Sequence, residues 1–433
     1  MGLYPFFILW ALGRDLLAGS LNPTRNYRSF CTRHDRHGPE TAISISLLAS
    51  QVVFLYGRRT MSVQIETITG SQGDIERIER AARLVESGGL VAFPTETVYG
   101  IACAANANAL ARLSVVKGRT PEKHYTLHIG QVDEYRNYVP KVGLQTDKLL
   151  HAAWPGPLTL VFEIDPITLG TIRQRLDSDA FATLYKNGSI GIRCPDHVAA
   201  SMLLRLAKCP VVAPSANLTG QEPATSAKQV VAQLGDSIDL VLDGGPCKYG
   251  TSSTVARVGT EGIRTMREGV YSADDLRRMA KVSVLFVCTG NTCRSAMAEG
   301  LFRTHLAKKL GCSVDDLAAM GYKVVSAGTM NVPGVPASKG AVEACRLKGI
   351  DIGPHLSQHL TPSLVEESDR IFCMTLSHCQ QVLSLSAEAA SKCSLLAQDA
   401  EIPDPIGQPQ EFFNRCADII ETAVKARIGE IVL

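Results

Sequence analysis

Val282-Ser283-Val284-Leu285-Phe286-Val287, followed by Cys288-Thr289-Gly290-Asn291-Thr292-Cys293-Arg294-Ser295, decides the fold of the second half of this chain. A short β-branched, apolar run reads as a strand buried on both faces of a parallel sheet. Ser295 suits a helix N-cap, and Ala296-Met297-Ala298-Glu299 continues as helix. The residues between Cys288 and Arg294 then form a strand-to-helix loop whose N–H groups can converge on an anion. A thiol in such a nest is expected to ionise near neutral pH. Arg294 can grip two phosphoryl oxygens through its planar fork. Thiol, cradle and guanidinium on one turn point to hydrolysis of a phosphate ester or phosphoramidate.

The stretch from about 281 to 433 resembles the low-molecular-weight protein phosphatase family. Ser326-Ala327-Gly328-Thr329, Gly349-Ile350-Asp351, His355-Leu356-Ser357, Ser368-Asp369-Arg370-Ile371 and Ile402-Pro403-Asp404-Pro405 extend the likeness beyond the loop. The resemblance implies a doubly wound parallel sheet and a phosphocysteine intermediate. It makes Cys288 the nucleophile, Arg294 the phosphate clamp and Asp404 the general acid and base. Thr289, Gly290, Asn291, Thr292, Cys293 and Ser295 would form the phosphate loop, with Asn291 and Ser295 hydrogen-bonded inside it. The resemblance also implies a reversible Cys288–Cys293 disulfide, and no cofactor. Thr292 stands where tyrosine-directed members carry an aliphatic residue, and Ile406-Gly407 where they place aromatics. Both departures lean toward phosphoarginine over phosphotyrosine.

Upstream, Gly88-Gly89-Leu90-Val91-Ala92-Phe93 reads as a strand running into Pro94-Thr95-Glu96-Thr97-Val98-Tyr99-Gly100. Ile75, Ile78, Ala81, Ala82 and Val85 fall at helical spacing, so a helix over 74–87 precedes it. Lys117-Gly118-Arg119, Trp154-Pro155-Gly156-Pro157, Gly191-Ile192-Arg193-Cys194-Pro195, Ala213-Pro214-Ser215-Ala216-Asn217, Thr251-Ser252-Ser253-Thr254-Val255 and Arg267-Glu268-Gly269 follow in order. Basic residues and hydroxyls gathered on loops suit a triphosphate and a small polar acid. Neither a Walker loop nor a Gly-x-Gly-x-x-Gly fingerprint is present, so a nucleotide would be held by another scheme.

These blocks, over about 63–275, resemble the YrdC-like threonylcarbamoyl-AMP synthases, which implies a twisted mixed α/β sheet with a concave, positively lined face. It also implies condensation of L-threonine, bicarbonate and ATP to threonylcarbamoyl-adenylate, the precursor of N6-threonylcarbamoyladenosine at tRNA position 37. Lys117, Arg119, Ser215 and Asn217 match the tetrad assigned to ATP, with Arg267 a further phosphate contact. Thr95, His128 and Arg193 match threonine-pocket positions. Mg2+ is expected with ATP. The segment 120–127 departs from the family pattern, which leaves an alternative: a phosphatase whose front domain binds nucleotide or RNA without catalysis. Longer synthases carry an extra C-terminal domain where this chain has its phosphatase-like half.

Length and composition fit two α/β domains. The 433 residues, 45% hydrophobic and 20% charged, are those of a globular chain. Thirteen cysteines without a spaced framework argue for a reducing, cytoplasmic setting and against a zinc motif. Residues 1–60 hold seven Arg and no Lys against three acids, leaving 37 basic and 39 acidic residues in the rest. The body is therefore no strong nucleic-acid clamp, although RNA or tRNA-modification proteins are candidate partners beside the phosphoprotein substrate. The apolar runs Tyr4–Leu12 and Ala42–Tyr56 are too short to span a bilayer, so no stable membrane association is expected. The expected divisions are 1–60, a disordered extension or mis-assigned start ahead of Met61; 61–278, synthase-like; and 279–433, phosphatase-like.

Overall fold

The computed structural model describes residues 63–118, 124–259 and 261–432. The expectations for 1–60, for Arg119 and for the first part of the segment 120–127 lie outside the described residues. Among the described residues no helix is long and apolar enough to cross a membrane. The stretch Ser62–Leu433 forms one compact unit.

Its first part is built on a ten-stranded mixed sheet. The strands are β1 (Gln64–Thr67), β2 (Val91–Phe93), β3 (Gly100–Ala104), β4 (Thr126–His128), β5 (Leu158–Glu163), β6 (Ser189–Arg193), β7 (Val211–Val212), β8 (Leu240–Asp243), β9 (Thr254–Gly259) and β10 (Gly262–Arg267). They lie in the order β1-β8-β2-β3-β7-β4-β6-β5-β9-β10. Helix α1 (Gly73–Glu86) buries Ile78, Ala81, Ala82 and Val85, the stripe that its sequence spacing predicts. Helix α2 (Ala107–Lys117) starts on Asn106, whose side chain accepts the Ala109 N–H, and stops at Gly118 in the left-handed region, φ 56°.

Register explains the working face. His128 pairs with Arg193, Arg193 with Thr159, and Thr159 with Val255, so four strands put one row of side chains side by side. Two residues back, Thr126, Gly191, Val161 and Arg257 form a second row on the same face.

Helix α3 (Leu144–Ala153) joins the halves. Leu144 is buried in the second half's core, Gln145 Nε2 donates to Met320 O at 2.9 Å, and Lys148 pairs with Asp369 at 2.7 Å. Asp369 also accepts the Ser283 N–H, at the root of the strand that ends in Cys288. Helix α4 (Ala273–Met279), opened by a Ser272–Asp275 capping box, runs across the division expected at 278/279.

The second half has four parallel strands: β11 (Val282–Cys288), β12 (Tyr322–Gly328), β13 (Arg370–Cys373) and β14 (Cys393–Leu395), in the order β12-β11-β13-β14. All seven residues of β11 are buried, as its apolar run requires. The chain leaves β11 for β12 on one side and returns to β13 on the other. The carboxyl end of β11 is thus a topological switch point, where such sheets bind ligands. Helix α5 (Arg294–Leu310) follows it, and helices α6 (Leu376–Leu385) and α7 (Gln410–Ile431) pack further on. Both the mixed sheet and the doubly wound parallel sheet are those expected from the sequence.

Candidate active sites

At the end of β11 the chain turns sharply into α5. Cys293 occupies the N-cap position and Arg294 is the first helical residue, so the cap lies two residues before the Ser295 cap that the sequence predicts. Ser295 is committed elsewhere: its Oγ lies 2.9 Å from Cys288 Sγ. The Asn291 N–H donates to the same sulfur at 3.3 Å, and Asn291 Nδ2 donates to Ser295 Oγ at 2.8 Å. Asn291 takes φ 54°, a left-handed conformation that Asn tolerates well. Its side chain also bonds Ser326 Oγ and the Gln358 N–H, tying the loop to β12 and to the segment beyond it.

Arg294, 4% exposed, donates from one terminal nitrogen to Asp404 Oδ2 at 2.5 Å and to Thr289 Oγ1 at 3.3 Å. Its other terminal nitrogen donates to Ile402 O at 3.2 Å. Arg294 therefore holds Asp404 beside the loop that carries Cys288, although 116 positions separate Cys288 from Asp404. Thr289 and Gly290 are only half-buried, which leaves the mouth of the loop open. Cys293 Sγ donates to Ser338 Oγ at 3.1 Å. Thr292, half-buried, brings its Oγ1 to 3.7 Å from Cys293 Sγ, and Ile406 beside Asp404-Pro405 is exposed.

Gly328 is fixed by this loop. A Cβ there would stand 2.8 Å from Thr289 O and 3.0 Å from Asn291 N. Gly328→Ala should cost about 1–3 kcal/mol of stability by overpacking. It should cut phosphatase turnover by about 10²-fold through a displaced loop. Calorimetry and turnover on one preparation check both; wild-type turnover would mean that the loop can shift without penalty.

Two histidines that sequence reasoning gave no role brace the loop. His355 Nε2 lies 2.7 Å from Asn291 O, and His378 Nε2 lies 2.9 Å from Thr289 Oγ1 with its Nδ1 on Thr375 Oγ1. Burial, and then the nearby Arg294 charge, push the His378 imidazole down to about 4 from its ordinary 6.5. The fold holds the neutral ring. The stability it contributes is therefore full above pH 6.5 and is lost as pH falls toward 4. The melting temperature should drop across that window. His378→Gln should flatten part of the slope, whereas an unchanged slope would assign the acid sensitivity to other groups, His128 among them.

The first half holds a cleft of about 440 Å³ over the two side-chain rows of its sheet. His128, Thr159, Arg193, Ser215, Ser253 and Arg267 are among its walls. Arg193 donates to Glu96 Oε1 and Thr97 Oγ1, both at 2.7 Å, while its Nε is buried with no hydrogen-bond partner. Glu96, which sequence reasoning left without a role, also accepts the Asp196 N–H at 3.0 Å. His128 Nδ1 lies 3.1 Å from Thr126 O. Burial, and then the Arg193 charge, push its imidazole down to about 3, so the ring is neutral at physiological pH. Thr95 uses its hydroxyl on the 95–98 turn, donating to Val98 O at 2.6 Å and lying 3.0 Å from Thr97 Oγ1, the hydroxyl that accepts from Arg193.

Lys117, at the end of α2, donates to Ser215 O at 2.5 Å and Asn217 O at 2.6 Å. Asn217 Nδ2 donates to Leu218 O and Gln221 O, while its Oδ1 is buried with no partner. Arg267 donates to Ser253 O at 2.8 Å, and Ser253 Oγ meets Thr159 Oγ1 at 3.0 Å. The structure thus brings Lys117, Ser215 and Asn217 together, and His128, Arg193 and Arg267 around one cleft.

Residues 83–269 match the Sua5/YciO/YrdC family, described under telomere recombination. Residues 283–431 match the low molecular weight phosphotyrosine protein phosphatases. The threonylcarbamoyl-AMP synthase of Pyrococcus abyssi is 30% identical over 239 residues, covering 54% of this chain and 67% of its own. That of Bacillus subtilis is 35% identical over 236 residues, covering 53% of this chain and 64% of its own, so the chain spans about two thirds of these relatives' length. The arginine phosphatase YwlE of Geobacillus stearothermophilus is 32% identical, with a TM-score of 0.30 over 34% of this chain and 92% of its own. The chain belongs to the threonylcarbamoyl-AMP synthase family over its first part and joins to it a low molecular weight phosphatase domain.

Proposed function

We propose that this chain is a bifunctional enzyme, with 61–278 forming threonylcarbamoyl-AMP and 279–433 hydrolysing phosphorylated protein side chains. The observation that carries the reading is the convergence of Cys288, Arg294 and Asp404 on one loop, beside a separate cleft walled by His128, Arg193 and Ser215.

In the synthase cleft the amine of L-threonine takes up bicarbonate as a carbamate, with loss of water. The carbamate oxygen attacks the α-phosphorus of ATP and pyrophosphate leaves. Arg193 faces the threonine carboxylate through its unpartnered Nε, and neutral His128 adds no competing charge. Arg267 at the rim meets the phosphates, and Lys117 positions the Ser215–Asn217 turn on the adenylate. Arg119 completes the tetrad. No carboxylate is among the described residues that wall this cleft, so the donor set does not suit a resident divalent cation. Mg2+ enters as the companion of ATP. The product serves tRNA modification, and the expected setting is the cytoplasm.

In the phosphatase domain the Cys288 thiolate attacks phosphorus while the P–O or P–N bond breaks, and Asp404 protonates the departing group. Water then attacks the phosphocysteine, gives its proton to Asp404, and frees the thiolate and phosphate. The incoming phosphoryl group displaces Asp404 from Arg294, which clamps the oxygens and releases the acid for its work. Thr292 and the exposed Ile406, in place of an aliphatic residue and a stacking aromatic, favour phosphoarginine over phosphotyrosine.

Asp404→Asn should slow hydrolysis of phenyl phosphate by about 10²–10³-fold. It should slow 4-nitrophenyl phosphate far less, because that leaving group needs no proton. Equal losses on both esters would remove Asp404 as the acid. The bifunctional reading is tested by pyrophosphate release from ATP and Mg2+ in the presence of bicarbonate, with and without L-threonine. Release that needs both threonine and bicarbonate is expected; none, with phosphatase turnover intact, would leave the first domain as a binding module.

A further inference from the structure

A second group of thiols lies outside both sites. Cys373 ends β13, Cys393 begins β14, and Cys379 sits in the first half of α6. In the parallel register Ile371 faces Cys393 and Cys373 faces Leu395, so Cys373 and Cys393 are diagonal neighbours on one face of the sheet. Their sulfurs are 3.7 Å apart, and all three sulfurs lie within 4.8 Å of one another. Cys373 is buried and the other two are half-buried against an apolar shell that includes Leu285, Ile371 and Val382. Among the described residues no imidazole or carboxylate joins the group.

Three sulfurs from three separate elements already meet at a single point. A metal–thiolate bond of about 2.3 Å in a trigonal plane sets sulfurs about 4.0 Å apart, close to the 3.7 Å between Cys373 and Cys393 and inside the 4.8 Å that bounds all three. Thiolates without a fourth nitrogen or oxygen donor suit a soft d10 ion that accepts three ligands, whereas structural zinc closes with four. The half-buried position of Cys379 and Cys393 gives an ion a way in.

We propose that Cys373, Cys379 and Cys393 form a trigonal thiolate site for one soft monovalent metal ion of the Cu(I) type. Binding exchanges each remaining S–H proton for an S–metal bond and releases those protons to solvent, with no change of oxidation state.

The full chain, reduced and kept anaerobic, is titrated with Cu(I) against a coloured Cu(I) chelator. Cys288 and Cys293 are competing thiols, so the wild type is compared with Cys288→Ser, with the single variants Cys379→Ser and Cys393→Ser, and with their double variant. Threonine-dependent pyrophosphate release and far-ultraviolet circular dichroism report that each variant is folded. The expected result is one tightly held equivalent in the wild type and in Cys288→Ser. Affinity should fall at least about 100-fold in either single variant. X-ray absorption on the loaded wild type should find three sulfurs at about 2.3 Å. Equal retention by wild type and a folded double variant would overturn the proposal. So would loss of copper in Cys288→Ser, a two-coordinate spectrum, or preferential retention of Zn2+ with a nitrogen or oxygen ligand.

Discussion

Cys288→Ser is expected to lower phosphatase turnover by about four orders of magnitude or more while leaving threonylcarbamoyl-AMP formation unchanged. The geometry explains the size. Cys288 Sγ receives the Asn291 N–H at 3.3 Å and stands 2.9 Å from Ser295 Oγ, contacts that fix the nucleophile in the loop. A serine hydroxyl fits the same space and keeps the same neighbours, but it ionises far above neutral pH, and among the described residues no histidine is hydrogen-bonded to this position to act as base. The phosphate clamp is intact, since Arg294 and the loop N–H groups do not depend on the sulfur. Inorganic phosphate should therefore still bind, as an equilibrium titration can read. Residual turnover within tenfold of wild type would place the nucleophile elsewhere.

Lys117→Ala should reduce adenylate formation by about 10²–10³-fold with phosphatase turnover untouched. Lys117 is buried, and its ammonium bridges the Ser215 and Asn217 carbonyls at 2.5 and 2.6 Å. Truncation leaves both carbonyls without this donor and removes a cation from beneath the turn that carries the Ser215 and Asn217 side chains. The loss should appear in kcat for pyrophosphate release more than in the KM for threonine, whose proposed pocket is built around Arg193 and His128. Lys117→Arg should rescue little, because a planar guanidinium cannot replace a compact ammonium between two carbonyls. A change confined to the threonine KM would assign Lys117 to the wrong substrate.

Local patterns in the sequence carried much of this architecture. The buried run Val282–Val287 specifies a central parallel strand because only a strand covered on both faces tolerates unbroken apolar side chains. The thiol loop follows because Asn291 tolerates the left-handed φ of 54° at which the chain turns. The helix predicted over 74–87 is found at Gly73–Glu86. Where the sequence was silent, the partner lies far along the chain. Glu96 meets Arg193 from 97 positions away, and His378 meets Thr289 from 89. Neither pair has a periodicity or a spacing, because the sheet topology that joins them is set by burial of other residues. The Ser295 cap was misplaced for a related reason: its hydroxyl is taken up by the Cys288 sulfur, 2.9 Å away, instead of a backbone N–H of its own helix.

Two chemistries on one chain give two products that a single sample can reveal. The 433-residue protein is given ATP, Mg2+, L-threonine and 13C-bicarbonate, and mass spectrometry looks for threonylcarbamoyl-adenylate, while the same sample is assayed for phosphate release from a phosphoarginine-containing protein. A 13C-labelled adenylate that disappears in Lys117→Ala but persists in Cys288→Ser, with phosphate release showing the opposite pattern, is the predicted result. Phosphate release without any labelled adenylate, or loss of both activities in either variant alone, would contradict it.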